Sequence, residues 1–116
     1  MYKTKVLEIG DLVKDFEPEQ MMVLFGITAT PELKEMSVVH DGENNDKSPL
    51  RVGGDLTLGN KKYKIIKVGN EANKNLDDLG HIAIYFRDEE QILPGAIEVE
   101  PYEFPQLSVG DEIIID

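Results

Sequence analysis

The sequence contains no cysteine, and only two of its 116 residues are histidines, His40 and His81. The lack of cysteine excludes disulfides, thiolate zinc sites and cysteine nucleophiles, and it is compatible with a cytoplasmic protein. No apolar run approaches the roughly 20 residues that cross a bilayer, so we expect no direct membrane insertion. Glu8 interrupts the stretch that a secretion signal would need to be apolar.

Basic residues are scarce. Twelve lysines and arginines stand against 23 aspartates and glutamates, which gives a net charge of −11. A surface of this charge repels phosphate backbones, so we expect no nucleic acid and no anionic membrane as a partner. The charge suits a basic protein partner, and solubility alone is the alternative interpretation.

Several catalytic motifs are also missing. There is no glycine-rich phosphate loop followed by Lys-Ser/Thr, no serine in a nucleophile elbow and no HExxH pattern. Adjacent acids such as Asp77-Asp78 and Glu89-Glu90 do not face each other on a helix or turn, so they are typical of a solvated surface. We therefore expect no cofactor.

A metal site would have to combine His40, Asp41, Glu43 and His81. The two histidines are 41 residues apart in the sequence and lack local ligand spacing, so we expect no bound metal. A metal-dependent enzyme that uses His40 and His81 stays open as an alternative.

The length fits one domain, residues 1–116, with a single core. Short apolar segments separated by turn residues predict a mainly β fold, a small barrel-like or sandwich domain of about seven to eight short strands. One well-defined helix is predicted over about residues 70–79, capped by Asn70 and ended by Gly80. Shorter helical turns are predicted after Thr30 and at Pro18-Glu19-Gln20.

His40 follows the apolar segment Ser37-Val38-Val39 and precedes a polar run from Gly42 to Pro49. The pattern predicts a strand that ends at His40 and is followed by a loop. Functional residues often lie at such junctions. The alternative is a half-buried polar residue without a function. His81 follows Gly80 and begins the next predicted strand.

A neutral imidazole is a good nucleophile near pH 7, because its unperturbed pKa is about 6.5, and it can hold a phosphoryl group on one ring nitrogen. Such a site needs an exposed imidazole at a rigid strand end, a second hydrogen-bonding group and an open face for a partner. The sequence predicts that His40 meets the first need, and His81 the second if the fold brings the two together.

Two parts of the chain resemble a known family. The first comprises Val68-Gly69, Ala72, Asn75-Leu76, Leu79-Gly80-His81, the apolar strand to Phe86, and Pro94-Gly95. The second is Pro31-Glu32-Leu33-Lys34-Glu35, which leads into Val38-Val39-His40. Over nearly its whole length, the chain resembles the IIA component of bacterial glucitol/sorbitol-specific sugar phosphotransferase systems.

The resemblance implies a small β-barrel-like phosphotransferase component. It implies that His40 accepts a phosphoryl group from the phosphocarrier protein HPr, which presents basic residues, and passes it to the IIB part of a membrane sugar permease. Some relatives have a second histidine where this chain has Gly42. From its position after Gly80, we hypothesise that His81 donates a hydrogen bond to the phosphoryl oxygens on His40 or to the His40 ring; the alternative is a structural bond to a backbone carbonyl near the helix end. Backbone N–H groups from Asp41 to Asn44 would stabilise the phosphoryl charge. The alternative is a non-catalytic regulatory or sugar-sensing module with the same fold.

Overall fold

Eight short strands and three helical segments make up the fold of the computed structural model, which describes residues 1–41 and 46–116. The strands are β1 Tyr2–Ile9, β2 Met21–Phe25, β3 Val38–His40, β4 Asp55–Leu58, β5 Lys61–Val68, β6 Ile82–Tyr85, β7 Ala96–Glu100 and β8 Glu112–Ile115. The helical segments are a 3-10 helix Val13–Phe16, α1 Pro31–Glu35 and α2 Ala72–Leu79.

The strands form a closed barrel in the order β1-β3-β2-β6-β7-β5-β4-β8, and β8 pairs back onto β1. The β2–β3 and β6–β7 pairs are parallel, and the other pairs are antiparallel. Each of these strands therefore has a hydrogen-bonded neighbour on both sides. Of the two predicted architectures, the barrel is confirmed.

The core fills the barrel because alternate side chains of each strand point inward. On β1 the buried positions are Tyr2, Thr4 and Val6, which alternate with exposed residues. The largest fully buried side chains are those of Met22, Leu24, Leu56, Leu58, Tyr63, Ile65, Ile82, Ile84, Phe86, Ile97, Ile113 and Ile115. This set matches the apolar segments from which the strands were predicted.

The predicted helix over residues 70–79 is confirmed as α2, but the predicted cap at Asn70 is wrong. Glu71 occupies the N-cap position and makes no side-chain cap bond. The first N–H groups instead find backbone acceptors, because Glu71 donates to the carbonyl of Pro94 and Ala72 to that of Gly69. One tertiary carbonyl, of Pro94, and one local carbonyl, of Gly69, thus replace the side-chain cap.

The two shorter helical turns had different outcomes. Thr30 caps α1 as predicted, and its hydroxyl accepts a hydrogen bond from the N–H of Leu33 at 3.4 Å. The turn predicted at Pro18 is wrong, because the 3-10 helix lies earlier, at Val13–Phe16, and residues 17–20 form a plain turn into β2. Burial of the Val13 side chain in the core favours the earlier position.

Gly80 ends α2 in the left-handed conformation, with φ of +67°. The N–H of Gly80 bonds the carbonyl of Leu76, the bond that defines the αL motif, and the N–H of His81 bonds the carbonyl of Asn75. A Cβ atom at Gly80 would lie 2.8 Å from the backbone nitrogen of Gly26 and 3.1 Å from Nε2 of His40. Glycine is therefore required here both for its φ and for the space.

We predict that Gly80→Ala destabilises the protein more than Gly53→Ala. Gly53 also has a positive φ, of +88°, but a Cβ atom there would meet nothing within 4 Å. Both variants incur the left-handed strain of about 1–2 kcal/mol. Only Gly80→Ala adds a backbone clash, worth roughly 1–3 kcal/mol more. Denaturant unfolding of both variants measures the difference, and equal losses would contradict the clash at Gly80.

Candidate functional site

The strand β3 fixes the backbone of His40 inside the barrel wall. His40 is opposite Val6 on β1, and its neighbour Val39 is opposite Phe25 on the other side, on β2. The N–H of Asp41 continues the contact with β1 by donating to the carbonyl of Lys5 at 3.2 Å. The imidazole is fully buried, with 0% of its surface exposed.

Both ring nitrogens of His40 have partners. Nε2 lies 2.7 Å from the carbonyl oxygen of Gly80, and Nδ1 lies 3.1 Å from Oγ1 of Thr4. A carbonyl oxygen only accepts hydrogen bonds, so Nε2 carries a proton and donates it to Gly80. The Thr4 hydroxyl also contacts the carbonyl of Asp41.

Burial lowers the pKa of His40 below its usual value, because it removes water from the charged form. The hydrogen bond to Gly80 and the negative charge of Asp41 act in the opposite direction, but burial is the larger effect. The ring is therefore neutral at pH 7, with its proton on Nε2 and its lone pair on Nδ1.

The expectation that the His40 imidazole is exposed is wrong. The sequence places His40 correctly at the end of a strand, but the turn after α2 packs against the ring through Gly80, 40 residues away. This contact is non-local, so no pattern around His40 indicates it. The structure thus gives His40 the buried character and two hydrogen bonds of an ordered core histidine.

His81 is the more accessible of the two imidazoles and is half-buried. Its Nδ1 lies 3.2 Å from the carbonyl oxygen of Leu24, and its ring stacks on Phe25 with centroids 4.6 Å apart. Nδ1 therefore carries the proton in the neutral ring. This is the backbone-carbonyl alternative from the sequence, and both nitrogens of His40 have partners other than His81. A contact of His81 with a phosphoryl group stays a prediction.

Gly80 brings the two histidines to one corner of the barrel, because its carbonyl accepts from His40 and His81 follows it directly. Two exposed apolar side chains adjoin this corner in the sequence. The N–H of Gly26 bonds the carbonyl of Leu79, and the side chains of Ile27 and Leu79 are 52% and 43% exposed. A protein partner that approaches this corner would meet these two side chains.

The remaining predicted site residues are only partly described. Gly42, Glu43 and Asn44 lie outside the described residues. The metal-ligand set that includes Glu43 therefore lies partly outside them, and so do most of the N–H groups predicted to bind the phosphoryl group. Within residues 1–41 and 46–116, no three His, Asp or Glu side chains are grouped to hold a metal ion. The Asp41 N–H, predicted to face a phosphoryl group, is engaged with Lys5 instead.

Sequence reasoning missed Thr4, which contacts the candidate nucleophile and is 4% exposed. A signal for it existed. Thr4 lies between Tyr2 and Val6 on the inward face of β1, where it is the one short polar side chain among the three buried residues. A hydroxyl on such a face needs a buried partner, and here that partner is His40.

A model of the family described as "PTS system glucitol/sorbitol-specific IIA component" matches residues 1–114 of this chain. The chain belongs to this family. The match covers both histidines and all of the strands except the last residue of β8.

Similar proteins and a similar solved structure agree with this assignment. Two proteins named "PTS system glucitol/sorbitol-specific EIIA component", from Shigella flexneri and Escherichia coli strain K12, are each 33% identical over 101 residues, which is 85% of this chain and 80% of theirs. The crystal structure of a PTS system IIA component from Enterococcus faecalis V583 superposes with a TM-score of 0.89 at 33% identity and covers 97% of both chains.

No helix among the described residues is long and apolar enough to span a membrane.

We predict that His40 makes the protein less stable as the pH falls below about 6.5. Because the pKa of His40 is lowered in the folded state, the unfolded chain takes up the proton first as the pH drops. The loss begins near the unfolded pKa, continues down to the folded one, and amounts to at most about 1.4 kcal/mol per pH unit.

Unfolding free energies of the native protein and His40→Gln, measured from pH 7.5 to pH 5, test this slope. The two slopes should differ by no more than the value for one proton, about 1.4 kcal/mol per pH unit. The unfolding free energy of the native protein should fall more steeply than that of His40→Gln. Identical slopes would contradict a lowered pKa. Imidazole resonances, assigned with His81→Gln as the reference, give the folded pKa directly.

Proposed function

We propose that this protein is a phosphocarrier that accepts a phosphoryl group from HPr on His40 and passes it to the IIB part of a glucitol/sorbitol permease at the cytoplasmic side of the membrane. Membership of the IIA family supports this proposal. The observation that carries the site is the neutral His40 ring, fixed through both nitrogens at the end of a strand.

The transfer uses the lone pair of a His40 ring nitrogen. This nitrogen attacks phosphorus, the bond from phosphorus to the donor breaks, and its electron pair stays on the donor. No metal or nucleotide takes part in the proposed step. The protein contributes a positioned nucleophile, and positioning accounts for much of the rate of such transfers.

The burial of His40 requires a rearrangement before transfer. Either the Thr4 contact opens at Nδ1, which carries the lone pair, or the Gly80 contact opens and the ring proton moves from Nε2 to Nδ1, so that Nε2 presents a lone pair to phosphorus. The corner formed by Ile27 and Leu79 next to Gly80 is where a docking protein would act on this contact. We therefore propose that docking, and not the free protein, exposes the imidazole.

The same burial favours a second candidate function. A fully buried histidine with two hydrogen bonds is also what a non-catalytic regulatory module of this fold would keep as a core residue. Incubation with enzyme I, HPr and phosphoenolpyruvate distinguishes the two, because such a module stays unlabelled.

We expect His40→Gln to fold and to accept no phosphoryl group. Glutamine has an amide that can donate to Gly80 and accept from Thr4, so the two buried contacts are retained in kind. His81→Gln is the matched control, since it removes the other imidazole of the sequence and should still be labelled.

The measurement is acid-labile, base-stable labelling from phosphoenolpyruvate through HPr, with peptide mapping of the modified residue. Labelling of His40→Gln at the native level, or a phosphate mapped to His81, would assign the nucleophile to the more exposed ring. Unlabelled native protein would support the regulatory module.

We expect transfer from HPr to slow as salt rises. The net charge of −11 attracts a donor with basic residues over long range, and at physiological ionic strength this attraction is screened beyond about 8 Å. The second-order rate constant, measured from low to high KCl, should fall steadily, with sucrose as the control for viscosity. A rate that does not change with KCl would leave the charge as a solubility feature.

A further inference from the structure

Thr4 is the one side chain among the described residues whose hydroxyl contacts the imidazole of His40. It lies on β1, is 4% exposed, and has two groups within reach of Oγ1: Nδ1 of His40 at 3.1 Å and the carbonyl oxygen of Asp41. Nothing in its own strand requires a hydroxyl there, since the neighbouring inward positions are Tyr2 and Val6.

The two neighbours of Oγ1 differ in what they can offer. The Asp41 carbonyl only accepts, whereas Nδ1 of His40 either accepts, through its lone pair, or donates, when it carries a proton. A hydroxyl has one proton to donate and lone pairs to accept with. Thr4 therefore matches both states of Nδ1 without moving its backbone.

In the resting ring, the carbonyl of Gly80 requires the proton on Nε2. Nδ1 is then an acceptor, and the single proton of the Thr4 hydroxyl has two acceptors within reach, Nδ1 and the Asp41 carbonyl. When Nδ1 carries a proton, it donates to Oγ1, and the Thr4 hydroxyl turns its own proton to the Asp41 carbonyl. The buried ring therefore has the Thr4 hydroxyl as a hydrogen-bonding neighbour at Nδ1 in each case.

We propose that Thr4 is a positioning residue for His40, which holds the imidazole in one orientation by donating to bare Nδ1 and accepting from protonated Nδ1. That this orientation serves phosphoryl transfer rests on the proposed function. The claim that Thr4 holds the ring does not rest on the proposed function, because the contact exists in the unphosphorylated protein.

Two substitutions separate the hydroxyl from the shape of the side chain. Thr4→Val removes the hydroxyl and keeps the branched shape, whereas Thr4→Ser keeps the hydroxyl and removes the methyl group. Thr4→Ala is a second variant without the hydroxyl, for use if Thr4→Val lowers the melting temperature.

The first readout is the nitrogen spectrum of ¹⁵N-histidine-labelled protein, in which the signals of Nδ1 and Nε2 report the tautomer and its hydrogen bonds. In Thr4→Val, the Nδ1 signal of His40 should move toward that of a lone pair without a donor. In Thr4→Ser it should stay at the native position. An unchanged Nδ1 signal in Thr4→Val would overturn the positioning role, and so would equal shifts in both variants, because the methyl group would then be the cause.

The second readout is the rate of labelling from HPr. We expect Thr4→Val to be slower by roughly 10- to 100-fold, the size of effect that a misplaced reacting group produces, with Thr4→Ser close to native. The two proposals fail separately. Native protein that is never labelled overturns the phosphocarrier function while the spectra still test Thr4, and equal labelling rates in all variants overturn the role of Thr4 in transfer.

Discussion

One hydrogen bond, from Nε2 of His40 to the carbonyl of Gly80, joins the barrel strand β3 to the turn that ends α2. The bond exists only because Gly80 has a left-handed conformation and no side chain, which lets the turn approach both His40 and Gly26. A buried N–H without a partner costs about 1–3 kcal/mol. Ring and turn are therefore coupled, and a change in one is transmitted to the other.

The two imidazoles, whose roles the sequence left open, have different environments. His40 is neutral and inaccessible in the free protein, whereas His81 is half-exposed and is held by a strand carbonyl and an aromatic ring. Exposure alone would favour His81 as a nucleophile, and the family resemblance favours His40. The fold by itself does not decide between them, because function depends on the site and its access.

Much of the barrel was predictable because its signals are local. Alternation along β1, the Gly59-Asn60 turn between β4 and β5, and the glycine after α2 all specify structure within a few residues. The closure of the barrel and the burial of His40 were not predictable, because both depend on contacts between distant parts of the chain. The helix start at Ala72 was misjudged for the same reason, because the N–H of its N-cap residue, Glu71, bonds the carbonyl of Pro94, far along the sequence.

The pairing of β8 with both β1 and β4 has a consequence for the order of folding. β1 pairs with β3 on one side, but its other side is paired by residues 112–115, so the barrel closes only after these residues have been synthesised. Until then β1 and β4 each present a row of unpaired backbone groups, the kind of edge on which chains associate wrongly. Loss of these few residues would therefore leave the edges of β1 and β4 unpaired and the barrel open.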